Sequence, residues 1–251
     1  MLKTRILPTL LFKDNGLVKG QQFLSDRRVG SALQAIKVYN RREVDELIFL
    51  DVNATPQGRS PDFAQIDELA DECFMPMTVG GGVSRIEHIG DLLKVGADKV
   101  CIGSAAFGNP GLISEGARIY GRQCIVVAID FRREGDDWRV YSHCGNQPTQ
   151  YDPVTWAKEA ERLGAGEIVL TSIDRDGTMT GYDVEITRRV TERVSIPVIA
   201  SGGAGKFSHM AEVLKVGGAS AVAAASIFHF TEMTPREAKV YLQSQGLAMR
   251  L

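Results

Sequence analysis

Short apolar runs alternate with amphipathic stretches along the whole chain. The runs predict strands at Arg5–Leu11, Glu46–Val52, Met77–Val79, Lys99–Ile102, Cys124–Ile129, Glu167–Thr171, Pro197–Ala200 and Ala221–Ala225. Between them, apolar residues three and four apart predict helical segments such as 62–74, 85–96, 153–164, 185–194 and 207–218. Strands rich in Val, Ile and Leu with little polar alternation belong to parallel sheets covered on both faces. Eight strand–helix units in 251 residues fit a closed α/β barrel, the (β/α)8 or TIM barrel, better than an open sheet.

The pattern also repeats. VGGG (79–82) returns as ASGG (200–203), and DELIFLD (45–51) returns as GEIVLTS (166–172), each at 121 positions. GADKVCIGSAAF returns as GASAVAAASIFHF, with Ser104 and Ser226 122 positions apart. The chain therefore reads as a single barrel domain over 1–251, made of two homologous half-barrels of about 1–120 and 121–251. One pair of equivalent strand ends differs in kind. RILPTLLFKD carries Leu11 where CIVVAIDFRR, 119 positions on, carries Asp130.

Composition narrows the classes of function. The chain is 44% hydrophobic and 24% charged with a net charge of −2, an ordinary globular balance. No basic excess points to nucleic acid. The apolar stretch before Lys13 is about eight residues, too short for a membrane span or a signal peptide, and no small-residue cleavage site follows. Cys73, Cys101, Cys124 and Cys144 lie far apart with no CxxC pair, as expected of reduced thiols in a cytoplasmic protein.

In such barrels chemistry gathers where the C-terminal ends of the strands meet the following loops. Gly80-Gly81-Gly82 and Gly202-Gly203 fall there, each paired with a small-residue turn, Gly103-Ser104 and Ala225-Ser226. Glycines admit close backbone approach, and free N–H groups at helix starts attract anions. Two such sites in register, with hydroxyl donors at Ser104, Ser201 and Ser226, point to a ligand phosphorylated at both ends. The plain alternative is that these glycines only make tight turns. IDRDGTMTGYD (173–183) adds Asp174 and Asp176-Gly177 at the rim, Asp176 and Gly177 being candidates for catalytic or ligand contact. Asp130, behind a purely apolar run, is a candidate general acid/base whose pKa burial would tune; an ion pair with Arg132 or Arg133 is the alternative. Arg5, Glu46, Lys99 and Glu167 open four of the strands at the opposite end, where two cations and two anions would neutralise one another as a structural plug. His88, His143, His209 and His229 are scattered without metal-ligand spacing, so no metal or cofactor is expected. His143 follows a hairpin expected at 136–145; a place facing the mouth is open to it, with a surface-loop histidine the leading reading, and Cys144 is not a nucleophile candidate.

DELIFLD, TVGGG, GADKV, VVAID, GAGEIVLTSIDRDGT, GYD, IPVIASGGAGK and ASIFHF together resemble the HisF family, the cyclase subunits of imidazole glycerol phosphate synthase, over essentially the whole chain. The resemblance implies a two-fold-symmetric barrel with a doubly phosphorylated ribulosyl ligand. It also implies a heterodimer with a HisH-like glutaminase docked on the floor, which sends ammonia through the barrel to lyase and cyclisation steps needing two aspartates. One aspartate falls on Asp130; the other falls on Leu11, and a neighbouring family cysteine falls on Thr9. The first-half phosphate pocket has Gly103-Ser104 where the family has Asn-Thr, with Gly82 retained. The second-half pocket, Gly177, Ser201, Gly203, Ala225 and Ser226, matches, and Thr171 is placed with these binding residues. Lys19 resembles the mobile-loop lysine; Arg5, Glu46, Lys99 and Glu167 resemble the ammonia gate, and Asp98 a glutaminase-facing position.

Leucine cannot exchange a proton, and losing one positioned acid/base group typically costs about 10²–10⁴-fold in rate. A kept conduit with half of the acid/base pair gone resembles HisF paralogues of surface-polysaccharide biosynthesis, in which ammonia passes to a third protein, a sugar amidotransferase. The leading expectation is an ammonia-conducting subunit of that type. The alternatives are a working cyclase of histidine biosynthesis, making imidazole glycerol phosphate and AICAR, and a scaffold that only activates its glutaminase.

Overall fold

The computed structural model describes residues 3–24 and 27–250. Its strands, in chain order, are β1 (Arg5–Lys13), β2 (Gly16–Lys19), β3 (Arg27–Gly30), β4 (Leu47–Asp51), β5 (Met77–Gly80), β6 (Lys99–Ile102), β7 (Ile125–Glu134), β8 (Asp137–Ser142), β9 (Gln147–Pro148), β10 (Glu167–Ser172), β11 (Val198–Ser201) and β12 (Ala221–Ala224). Eight of them run parallel around a closed ring, β1-β4-β5-β6-β7-β10-β11-β12 and back to β1. Helices lie between them, so the chain is a (β/α)8 barrel. No helix among the described residues is long and apolar enough to cross a membrane.

Alternation along each strand divides the apolar residues between two cores. Leu7, Ile48, Cys101, Val126, Val169, Ile199, Ala221 and Ala223 fill the barrel lumen. Ile6, Leu10, Val127, Ile129 and Ile168 face outward into the larger core beneath the helices. Burial on both faces is why these strands read as continuous apolar runs. The helix Pro153–Leu163 shows how sequence sets the outer layer. The Asp152 carboxylate accepts the N–H groups of Val154 (2.9 Å) and Thr155 (3.0 Å), proline fills the first turn, and Gly164 ends the helix left-handed. Its Trp156 is fully buried against Phe107 and Tyr151.

Most strand boundaries fall within two residues of the expected ones, and two differences are informative. β7 runs on to Glu134, because beyond the barrel it pairs antiparallel with β8 and forms the hairpin expected there. The helix expected over 62–74 is Phe63–Ala70, since residues after Ala70 turn toward Pro76 and the start of β5. A second antiparallel extension, β2 and β3 on the end of β1, was not marked by the hydrophobic pattern.

Candidate functional site

The N-terminal ends of the strands form a floor closed by four charges. Arg5 reaches Glu46 (2.7 Å) and Glu167 (2.8 Å), and the Lys99 ammonium lies 2.9 Å from each of the same carboxylates. Each cation thus bridges both anions, and the tetrad is neutral. Burial opposes the Arg5 charge, but Glu167 and Glu46 outweigh it and hold the guanidinium pKa above its ordinary value. Beside the tetrad lies a buried pair that the sequence reading did not single out. Lys239 Nζ sits 2.8 Å from Asp45 and donates to the Glu43 carbonyl (2.8 Å), while Asp45 accepts the Ile6 N–H (3.0 Å). Ile6 follows Arg5 and Asp45 precedes Glu46, so this one carboxylate ties together the backbones that carry two members of the tetrad. Asp98 is exposed at the same end, with one oxygen accepting the Met77 N–H (2.8 Å).

Above the tetrad the lumen is mainly apolar, with Thr78 of β5 the buried polar side chain on its inner face. Its sole thiol among the lumen residues, Cys101, is pushed up to about 12 by burial, and by the Asp130 charge above it, and so stays protonated.

The C-terminal ends open into a cavity of about 890 Å³. Lys19, Gly82, Ser104, Asp130, Thr171, Asp176, Gly177, Ser201, Gly203, Ala225 and Ser226 all line it, together with Thr9 and Leu11. Asp130 and Leu11 stand on β7 and β1, which have three strands between them in either direction around the ring. The two positions therefore face each other across the mouth. Burial pushes the Asp130 carboxyl up to about 7, a hydrogen bond from the Thr171 hydroxyl opposes this, and the Asp176 charge adds to it. No arginine pairs with Asp130 among the described residues: Arg132 lies over the Tyr141 ring and Arg133 over Trp138. Asp176 is raised by burial, with Lys19 Nζ at 2.6 Å opposing. Asp174, by contrast, accepts the Arg133 N–H (2.8 Å) and braces β7. Of these two loop carboxylates, Asp176 is the one lining the cavity.

Lys19 is buried because the segment after β2 lies down over the 174–177 loop. Gln22 N donates to the Asp176 carbonyl (2.8 Å), and its side chain donates to the Asp174 carbonyl (2.9 Å). Gly177 permits this approach: at φ +74°, a Cβ there would stand 2.2 Å from the Gly20 carbonyl oxygen.

The glycine turns are explained first by neighbouring backbone. A Cβ at Gly81 would meet the Asp51 carbonyl at 2.3 Å, and one at Gly202 would meet the Ser172 carbonyl at 2.5 Å. Anion binding therefore draws its support from the hydroxyls. Ser226 Oγ is buried with no hydrogen-bond partner among the described residues, while Ser104 Oγ accepts the His143 N–H (2.8 Å). That contact selects the mouth-facing alternative for His143 over the surface-loop reading: it lines the cavity because the loop behind β8 folds inward, with His143, Cys144 and Gly145 all left-handed.

His88 and His209, read as scattered, are 121 positions apart and stand in matching places. Each Nδ1 lies 3.3 Å from the backbone N four residues earlier, Ser84 or Gly205, directly behind the two glycine turns. Burial lowers both pKa values, aided by Arg85 and Lys206 respectively, which favours the neutral form of both rings. The signal was present as GGVSRIEH and GGAGKFSH. Among the described residues, no group of three or more His, Cys, Asp or Glu could hold a metal ion.

The family model described as histidine biosynthesis protein matches residues 5–234. The imidazole glycerol phosphate synthase subunit HisF of Dehalococcoides mccartyi strain BAV1 is 49% identical over 251 residues, spanning 100% of this chain and 99% of the relative. The same subunit from strain 195 is 49% identical over the same span. A full-length match of this kind, on a closed barrel with charged floor and polar mouth, shows that the chain belongs to the HisF family of imidazole glycerol phosphate synthase subunits.

Proposed function

We propose that this chain is a HisF-type synthase subunit that takes ammonia from a HisH-like glutaminase at its floor and conducts it through the lumen, with its cyclase activity impaired. The neutral charge tetrad and the mainly apolar lumen above it support conduction, since an uncharged molecule crosses such a lining with little desolvation cost while an ion does not. The observation that carries the impairment is Leu11, a side chain unable to exchange protons, facing Asp130 across the mouth. In this reading the ammonia serves an acceptor other than the phosphoribulosyl intermediate of histidine biosynthesis. A sugar of surface polysaccharide, amidated by a third protein, is the acceptor that the pattern of loss favours. The rim, with the hydroxyl of Ser226 unpartnered among the described residues, keeps a binding place for a phosphorylated ligand.

One observation favours a second reading, a working cyclase. A carboxyl pushed up to about 7 can both give and take a proton near neutral pH, so Asp130 could serve in both roles. Complementation separates the two: the gene is supplied to a cell lacking its histidine-pathway cyclase. The impaired reading expects no growth without histidine; robust growth would establish the second.

A further inference from the structure

Among the described residues Phe74 is the most exposed large apolar side chain, at 82%. Single exposed apolar residues are common on protein surfaces and by themselves mean little. Phe74 differs in how firmly its turn is held. Its N–H donates to Asn40 Oδ1 (3.1 Å), and Asn40 Nδ2 donates to the Glu72 carbonyl (2.6 Å), so one side-chain amide spends both its ends on this turn. The Cys73 thiol donates to the Met75 carbonyl (3.3 Å), and the Pro76 carbonyl accepts the Leu47 N–H (2.9 Å), joining the turn to β4.

The location is equally specific. Phe74 lies three residues before β5, the strand between the one that Glu46 precedes and the one that Lys99 opens. It therefore lies at the same end of the barrel as the charge tetrad, where Asp71 and Asp98 are exposed as well. The tetrad side chains keep 11–20% exposure there, so ammonia arriving from outside would escape to water unless a partner sealed the floor. An exposed aromatic ring on a turn whose backbone is already held has the anatomy of an interface hot spot, since little backbone ordering entropy remains to be lost on binding.

We propose that Phe74 anchors the glutamine-hydrolysing partner over the tetrad by entering an apolar pocket whose rim is basic, opposite Asp71 and Asp98. This rests on the glutaminase-docking reading above and names the residue that secures it. The test compares wild type, Phe74→Ala and Phe74→Asp for affinity toward each HisH-type glutaminase of the same genome, by calorimetry, with each chain's melting temperature and sedimentation recorded alone. The expected result is at least a tenfold loss of affinity for Phe74→Ala, a larger loss for Phe74→Asp, and unchanged melting. Equal affinity of wild type and Phe74→Ala overturns the anchor and leaves docking intact. Self-association of the free chain that Phe74→Ala abolishes overturns it too, because a second copy would then be the occupant. Failure of wild type to bind any of the glutaminases defeats docking and anchor together.

Discussion

Asp130 owes its character to residues that no local stretch of sequence reveals. Its place at the end of an apolar run was legible, but the Thr171 hydroxyl and the Asp176 charge that set its pKa arrive from β10 and the loop behind it. The raised value has a consequence for stability. Between pH 4 and 7 the folded protein holds a proton on Asp130 that the unfolded chain has released, so Asp130 makes stability fall as pH rises through that window. Asp130→Asn, which stays neutral throughout, should therefore gain on wild type as the pH rises, with a larger melting advantage at pH 8 than at pH 5. The expected gain between the two pH values is roughly 3 °C or more, since about 1 kcal/mol moves the midpoint by about 2–4 °C in a chain this long. Melting curves at the two pH values check this, and an equal offset at both would show that Asp130 ionises normally.

Elements, more than single residues, explain what was and was not legible. Barrel strands stand out because burial on both faces leaves continuous apolar runs, and the tetrad was locatable because each member opens a strand or stands just before one. The β2–β3 hairpin stayed hidden, since β3 has no buried position to give it a period. Its function in the fold is to lay Lys19 over Asp176, and Gly177 is the contact that allows it. Gly177→Ala should lift the 19–24 segment, increasing its proteolytic cutting and hydrogen exchange several-fold while the barrel strands stay protected. Unchanged protection would mean that the contact is not what holds the segment down. At the floor, Lys99→Ala leaves Glu46 and Glu167 sharing Arg5 alone. Exposed ion pairs contribute about 0–1 kcal/mol, and breaking buried ones costs about 3–5 kcal/mol. This half-buried tetrad should lose an intermediate amount, about 1–3 kcal/mol, visible as a lower urea midpoint. No shift would show that the tetrad does not contribute to stability.

Taken as a whole, the molecule is nearly symmetric in plan and unequal in chemistry. Matching glycine turns, the histidine pair His88 and His209, and the floor carboxylates Glu46 and Glu167 recur at about 121 positions. The mouth does not follow this rule, having Asp130 on one wall and Leu11 on the other. Restoring the carboxylate tests whether that inequality alone limits the chemistry: Leu11→Asp should raise ammonia-dependent cyclase turnover by roughly tenfold or more. No gain would locate further divergence in the mouth, with Gly103 the first position to examine. The most direct measurement is steady-state turnover of the purified wild-type chain, supplied with ammonium salt and the phosphoribulosyl intermediate, beside a HisF that carries aspartate at the end of its first strand. Turnover about 100-fold or more below that relative is the predicted result; equal turnover would contradict the account.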